Sequence, residues 1–156
     1  MKYIAVIIAL LVSTSSFAAG ELVFERKLKA AENGDAEAQY DIGYRYEKGR
    51  GVDSDDEVAF EWYSKAADHG LGKAQYKLGC FYLNGQGVDK SIADAEAWLM
   101  KAADQGYPPA QYQLGKLYAS NQKRDYDLAL SWLQKARDSG YEPATKELRK
   151  IKKKLN

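Results

Sequence analysis

Cysteine, histidine and any surplus of charge are nearly absent from this chain. Cys80 is the single cysteine and His69 the single histidine in 156 residues. An intramolecular disulfide is therefore excluded, and a zinc site is not expected. Lys and Arg number 23 against 22 Asp and Glu, and losing Lys2 with a leader would bring the formal charge to zero. No global field is left to attract nucleic acid. Nucleophile motifs are sparse: G-x-S-x-G does not occur, S-x-x-K occurs once, at Ser120–Lys123 between the repeat helices, and repeat geometry pairs no Cys with a His. Ser64-Lys65, an adjacent Ser-plus-Lys combination, lies on a second helix at positions set by the repeat.

The one long apolar run is Ile4–Val12, which follows Lys2. It is about half the length a bilayer-spanning helix needs. Small residues at Ser16 and Ala18 suit cleavage after Ala18, so residues 1–18 are expected to be a secretory signal peptide. No cysteine follows for a lipid anchor. The expected location is periplasmic or secreted, with no stable membrane anchor after cleavage. Residues 19–156 suit one domain.

What the chain has in abundance is repetition. Ala-Gln-Tyr occurs at Ala38–Tyr40, Ala74–Tyr76 and Ala110–Tyr112, 36 residues apart each time. Ile42-Gly43, Leu78-Gly79 and Leu114-Gly115 keep step, as do Tyr46, Tyr82 and Tyr118, and then Trp62, Trp98 and Trp132. A fixed period of that size marks a repeat architecture. In the middle copy Ala74, Leu78 and Tyr82 form one helical stripe, and Ala95, Trp98, Leu99, Ala102 and Ala103 another. Gly79 lies inside the first helix, where glycine costs about 1 kcal/mol relative to alanine. Its recurrence predicts a neighbouring helix too close for a Cβ. Glycines in Asn84–Val88 permit positive φ, Val88 can plug the gap between helices, Asp89 or Ser91 can cap the second helix, and Gly106 ends it.

The pattern A-x-x-x-[LI]-G-x-x-Y, G-x-G-V, A-x-x-W, K-A-A-x-x-G closely resembles the Sel-one-like repeat (SLR) family, relatives of the tetratricopeptide repeats. The resemblance spans about Glu21 to the C terminus and implies an all-α fold, an α-solenoid of stacked antiparallel helix pairs in a right-handed superhelix. Boundaries follow: an N-capping helix at 21–33, repeats at about 35–70, 71–106 and 107–140, and a C-terminal capping helix at 142–155. The third copy lacks G-x-G-V, so Ala119–Arg124 must connect its helices differently. Val23, Ala30 and Ala31 take the places of Ala59, Ala66 and Ala67, with Arg26 for the tryptophan. Ala144, Leu148, Ile151 and Leu155 stripe the last helix, where Arg149 replaces the glycine.

In repeats of this kind the first helix of each pair lines the concave face. Opposite the core stripe fall Tyr76, Cys80 and Leu83, with Tyr40, Tyr44 and Glu47 before them and Tyr112, Lys116 and Ala119 after. A groove floored by tyrosines and bordered by Glu37, Lys73, Glu47 and Lys116 is expected. Tyr40, Tyr76 and Tyr112 can equally pack against the adjacent hairpin. Tyr44, Cys80 and Lys116 differ from copy to copy and suit specific contacts. Lys73, Lys77, Lys116 and Asn84 invite comparison with a carboxylate clamp. Cys80 is expected to be a small buried thiol, or, if exposed, a partner for another chain.

Three further features have plain readings. Asp53–Glu57 lacks a calcium loop's alternation and reads as helix capping. His69 suits a helix C terminus. The basic tail Lys146, Arg149, Lys150, Lys152, Lys153 and Lys154 reads as a solvated face or as a contact for an anionic surface. The resemblance implies a monomeric, non-enzymatic adaptor that binds a protein or peptide, with no cofactor and no metal. A periplasmic immunity protein is a second possibility, and β-lactamase-like or penicillin-binding activity of cysteine-rich relatives a third.

Overall fold

The computed structural model describes residues 20, 22–120 and 123–155; the expected signal peptide 1–18 lies outside them. The described chain is a succession of helices: α1 (22–32), α2 (Ala36–Lys48), α3 (Asp56–Asp68), α4 (Gly72–Asn84), α5 (Ile92–Asp104), α6 (Pro108–Ala119), α7 (Tyr126–Asp138) and α8 (Glu142–Leu155). Each helix packs on its sequence neighbour, and α6 also touches α8. This is an α-solenoid of helix hairpins: α2–α3, α4–α5 and α6–α7, with α1 a lone second helix and α8 a lone first helix.

The repeated glycines mark where the two helices of a hairpin meet. A Cβ on Gly79 would stand 2.5 Å from Leu99 Cγ and 3.2 Å from the Ala95 carbonyl, and Gly115 faces Leu133 and Ala129 the same way. At Gly43 the neighbour is the Tyr63 ring, 2.9 Å from such a Cβ. Ala59, Ala95 and Ala129, all fully buried, complete these seams.

Ala-Gln-Tyr divides its labour. The alanine is core. The glutamine, buried in every copy, reaches back: Gln39, Gln75 and Gln111 donate through Nε2 to the carbonyls of Ala31, Ala67 and Ala103, at 3.0, 3.2 and 3.2 Å. Each carbonyl belongs to the last turn of the preceding second helix, where it lacks an intrahelical partner. The tyrosine leans forward or across: Tyr76 meets Tyr107 and Tyr112 meets Tyr141 at 5.4 and 5.3 Å between ring centroids, while Tyr40 meets Tyr63 at 5.2 Å. The tryptophans carry a lysine one turn on, with Lys65, Lys101 and Lys135 lying 4.0, 3.7 and 3.9 Å from the rings of Trp62, Trp98 and Trp132.

Asp55, Ser91 and Asp125 cap the second helices, accepting from the backbone N–H groups of Val58, Asp94 and Leu128. Ser91, rather than Asp89, is thus the cap of α5. In the third copy the shorter connection closes through Arg124, whose φ of 50° does the work glycine does in the other two. The closure itself is conserved across the copies: the N–H groups of Asp55, Ser91 and Asp125 bond the carbonyls of Tyr46, Tyr82 and Tyr118 at 2.9–3.0 Å. At the ends, two stripe residues fail to be buried. Val23 and Leu155 are exposed, because α1 has no described helix before it and α8 none after it.

Candidate functional site

The face of α2, α4, α6 and α8 turned away from the hairpin seams collects the sequence-predicted residues. Side chains join each of these first helices directly to the next. Glu37 pairs with Lys73, whose Nζ also lies 4.2 Å from the Tyr40 ring centroid. Lys77 reaches Glu47 at 2.7 Å, and the Gln113 amide donates to Cys80 Sγ at 4.0 Å. Among the described residues no ion pair links one second helix to another.

Glu47 is the most constrained of these groups. Its side chain is only 7% exposed, and its carboxylate accepts from Tyr63 Oη at 2.6 Å, Lys77 at 2.7 and 2.9 Å, and Lys48 at 2.7 Å. Burial alone would raise its pKa, yet the hydrogen bonds from Lys48, Lys77 and Tyr63 outweigh that and hold it below the usual carboxylate value. Glu47 is thus the buried centre of a charge cluster spanning the first two repeats, where the sequence suggested a rim residue. Lys73 and Lys77 each hold an acid of the preceding repeat, which leaves Lys116 as the only lysine of the clamp comparison without one.

Tyr40, Tyr76 and Tyr112 are half-buried: each leans on a neighbouring ring and keeps one side toward solvent. Burial pushes the phenol of Tyr40 up to about 12 and those of Tyr76 and Tyr112 upward as well. Tyr44 is half-buried with the Arg50 guanidinium 5.0 Å over its ring, and Leu83 is half-buried against the C-terminal core. Cys80 is half-buried too. Burial raises its thiol pKa, against the hydrogen bonds of Tyr76 and Gln113, so it is the reverse of an activated thiolate. Lys116 is exposed, its ammonium 5.4 Å from the Tyr112 ring.

Tyr107, Tyr141 and Tyr63 escaped the sequence reading, and Lys77 entered it only through the clamp comparison. Tyr107 and Tyr141 precede α6 and α8 at equivalent places, a repeat signal in themselves. Lys77 and Tyr63 depart from the pattern, Tyr63 standing where the other copies have Leu99 and Leu133. Elsewhere, Asp55 of the acidic run caps α3 and His69 sits at that helix's C-cap. Among the described residues, no group of three or more His, Cys, Asp or Glu side chains could hold a metal ion, and no helix is long and apolar enough to cross a membrane.

Solved structures resemble this arrangement closely. A Sel1 repeat protein from Oxalobacter formigenes matches with 38% identity and a TM-score of 0.68, over 74% of this chain and 47% of its own. The protective antigen c5321 of uropathogenic Escherichia coli, which displays an SLR fold, matches with 29% identity and a TM-score of 0.77, over 80% of this chain and 27% of its own. Immunity protein Pa5087 from Pseudomonas aeruginosa matches with 32% identity and a TM-score of 0.59, over 83% of this chain and 49% of its own. The chain thus spans half or less of each of these proteins. No functionally curated protein matches it. The Sel1 repeat family model matches residues 36–71, 72–107 and 108–141, and the chain belongs to the Sel1 repeat family.

Proposed function

We propose that this chain is an exported, non-enzymatic interaction module that binds a protein or peptide on the concave surface lined by its first helices. One observation carries the reading. On the first helices the positions shared by all three copies are buried or half-buried in packing, whereas Tyr44, Cys80 and Lys116 occupy one register on the outward side of that surface and differ in every copy. Variation in a presented register is what a scaffold with a specific partner needs, since packing does not dictate those residues. The half-buried tyrosines beside them offer rigid contact area at low entropic cost. Two observations speak against catalysis. Cys80 has its thiol pKa raised by burial, and Ser64 Oγ donates to the Phe60 carbonyl of its own helix. Export rests on Lys2, the run Ile4–Val12 and the small residues around Ala18.

A pull-down from periplasmic extract with residues 19–156, beside a variant carrying Tyr44→Ala and Lys116→Glu, tests the reading. A protein retained by the wild type and lost by the variant supports it. Equal capture by both places the interaction elsewhere. The likeness to Pa5087 favours a second reading, an immunity protein that neutralises a delivered toxin. In that case the extract yields no partner, while a secreted toxin encoded beside this gene co-elutes with the chain and loses its toxicity when the two are co-expressed.

A further inference from the structure

Charge is distributed unevenly along the first-helix face. At its N-terminal end the charges are matched: Lys27 pairs with Asp41, Lys73 with Glu37 and Lys77 with Glu47. The C-terminal end differs. On α8 the buried residues Ala144, Leu148 and Ile151 fix which side meets the core, and at 100° per residue Lys146, Lys150 and Lys153 fall opposite them. Lys150 occupies the register that Lys116 holds on the preceding first helix, α6, and both are exposed. Glu147 and Lys150 lie close enough to bear on the Tyr112 phenol, so this side of α8 continues the surface that holds Tyr112 and Lys116. α8 carries two acids, Glu147, paired to Lys150 at 3.2 Å, and Glu142 in its first turn, against the lysines of this side. Lys116, Lys146 and Lys153 have no acidic partner among the described residues.

We propose that the C-terminal end of this face receives an acidic, extended segment of the protein partner, its carboxylates seated on Lys116 and Lys150 and its backbone crossing the rings of Tyr112 and Tyr141. The inference rests on the reading of the first-helix face as the binding surface and supplies the chemistry of what binds there. Lys116 has no acidic partner, and Lys150 in the same register holds only an exposed pair with Glu147 on its own helix; cations in one register call for anions in matching register. Neighbouring packed helices lie about 8–10 Å apart, and an extended chain rises about 3.3 Å per residue, so acids three residues apart fit successive lysines. The placement favours a peptide over a lipid surface. These lysines follow the inner register shared with α6, beside half-buried tyrosines, whereas the exposed Arg149 and Lys152 lie outside that register.

The test is fluorescence anisotropy of a labelled peptide repeating Glu-Thr-Ser, beside the same peptide with glutamine for glutamate. The protein is residues 19–156, wild type, Lys116→Gln with Lys150→Gln, or Arg149→Gln with Lys152→Gln, each checked by circular dichroism. The acidic peptide is expected to bind the wild type, more weakly as salt rises, and the glutamine peptide to bind at least tenfold more weakly. The Lys116/Lys150 pair should lose about tenfold, and the Arg149/Lys152 pair less than threefold, at low salt. Equal losses in both variants, or no binding by the acidic peptide, overturn the proposal. So does binding to phosphatidylglycerol vesicles that Arg149/Lys152 abolishes while the peptide is ignored. If the peptide fails but the pull-down still returns a protein lost with Tyr44→Ala, this inference falls and the functional reading stands; failure of both removes the face as a binding surface.

Discussion

Single residues here act through what they touch, and two show it. By helix propensity Gly79→Ala should gain about 1 kcal/mol. The added Cβ would sit 2.5 Å from Leu99 Cγ and 3.2 Å from a backbone carbonyl that cannot yield. Overpacking of this kind costs typically 1–3 kcal/mol, so a net loss of up to about 2 kcal/mol is expected in urea unfolding. A gain would show that the two helices can part without cost. Glu47→Gln should cost about 1–3 kcal/mol at neutral pH, because charge-assisted bonds from two lysines and a phenol are weakened at a nearly buried site. The native pKa of Glu47 is lowered, so its stabilisation is present above the ordinary glutamate value of 4.5 and lost as pH falls through the lower native value. The gap between wild type and variant should therefore close in acid; a gap unchanged at pH 3 would mean that the carboxylate's charge is irrelevant.

At the scale of helices, the starts of the repeat units give up one interaction for another. A Ser, Thr, Asp or Asn at the N-cap is worth about 1 kcal/mol over an apolar residue, yet α4 and α6 begin after Leu71 and Tyr107 with no side-chain cap. Tyr107 stacks on Tyr76 of the preceding first helix, so the position serves the joint between repeats instead. A second joint is complete only in the middle of the chain. There Gln105 Nε2 donates to Gln75 Oε1 at 2.8 Å and to the Gly70 carbonyl at 3.0 Å. His69 and Ser139 stand in the place of Gln105, and the buried Oε1 atoms of Gln39 and Gln111 find no donor among the described residues. His69→Gln should therefore install the middle joint at the first repeat and raise stability by about 0.5–1 kcal/mol in urea unfolding. No change, with hydrogen exchange at Gln39 unaltered, would show that the joint needs more than the right side chain.

Across the whole molecule, half-buried tyrosines tie the repeats together, which has a consequence at high pH. Burial, and in some cases a neighbouring carboxylate, raises the phenols of Tyr40 and Tyr118 to about 12 and lifts Tyr63, Tyr76, Tyr107 and Tyr112 above the ordinary value of 10. A raised native pKa means that the folded chain keeps its protons where the unfolded chain has lost them. Stability is therefore unaffected below pH 10 and falls as pH rises beyond it. Several groups acting together should make alkaline unfolding steep, with tyrosinate absorbance and loss of helical ellipticity rising in one transition above pH 10. Absorbance that titrates near 10 while the helices persist would show that these rings are freely solvated.

The amino-acid sequence by itself determined the repeat period, the all-α hairpin architecture and the close-approach glycines. Those properties depend on spacing within one helix or between identical copies, and such regularities are written along the chain. Only the tertiary structure decided which of the presented residues stay available. Glu47 and Lys77 lie 30 residues apart in different repeats, and only stacking brings them together. A side chain's availability depends on what the next hairpin sets against it. Periodicity assigns a residue to a face, and packing between repeats decides whether that residue is spent on the fold or left for a partner.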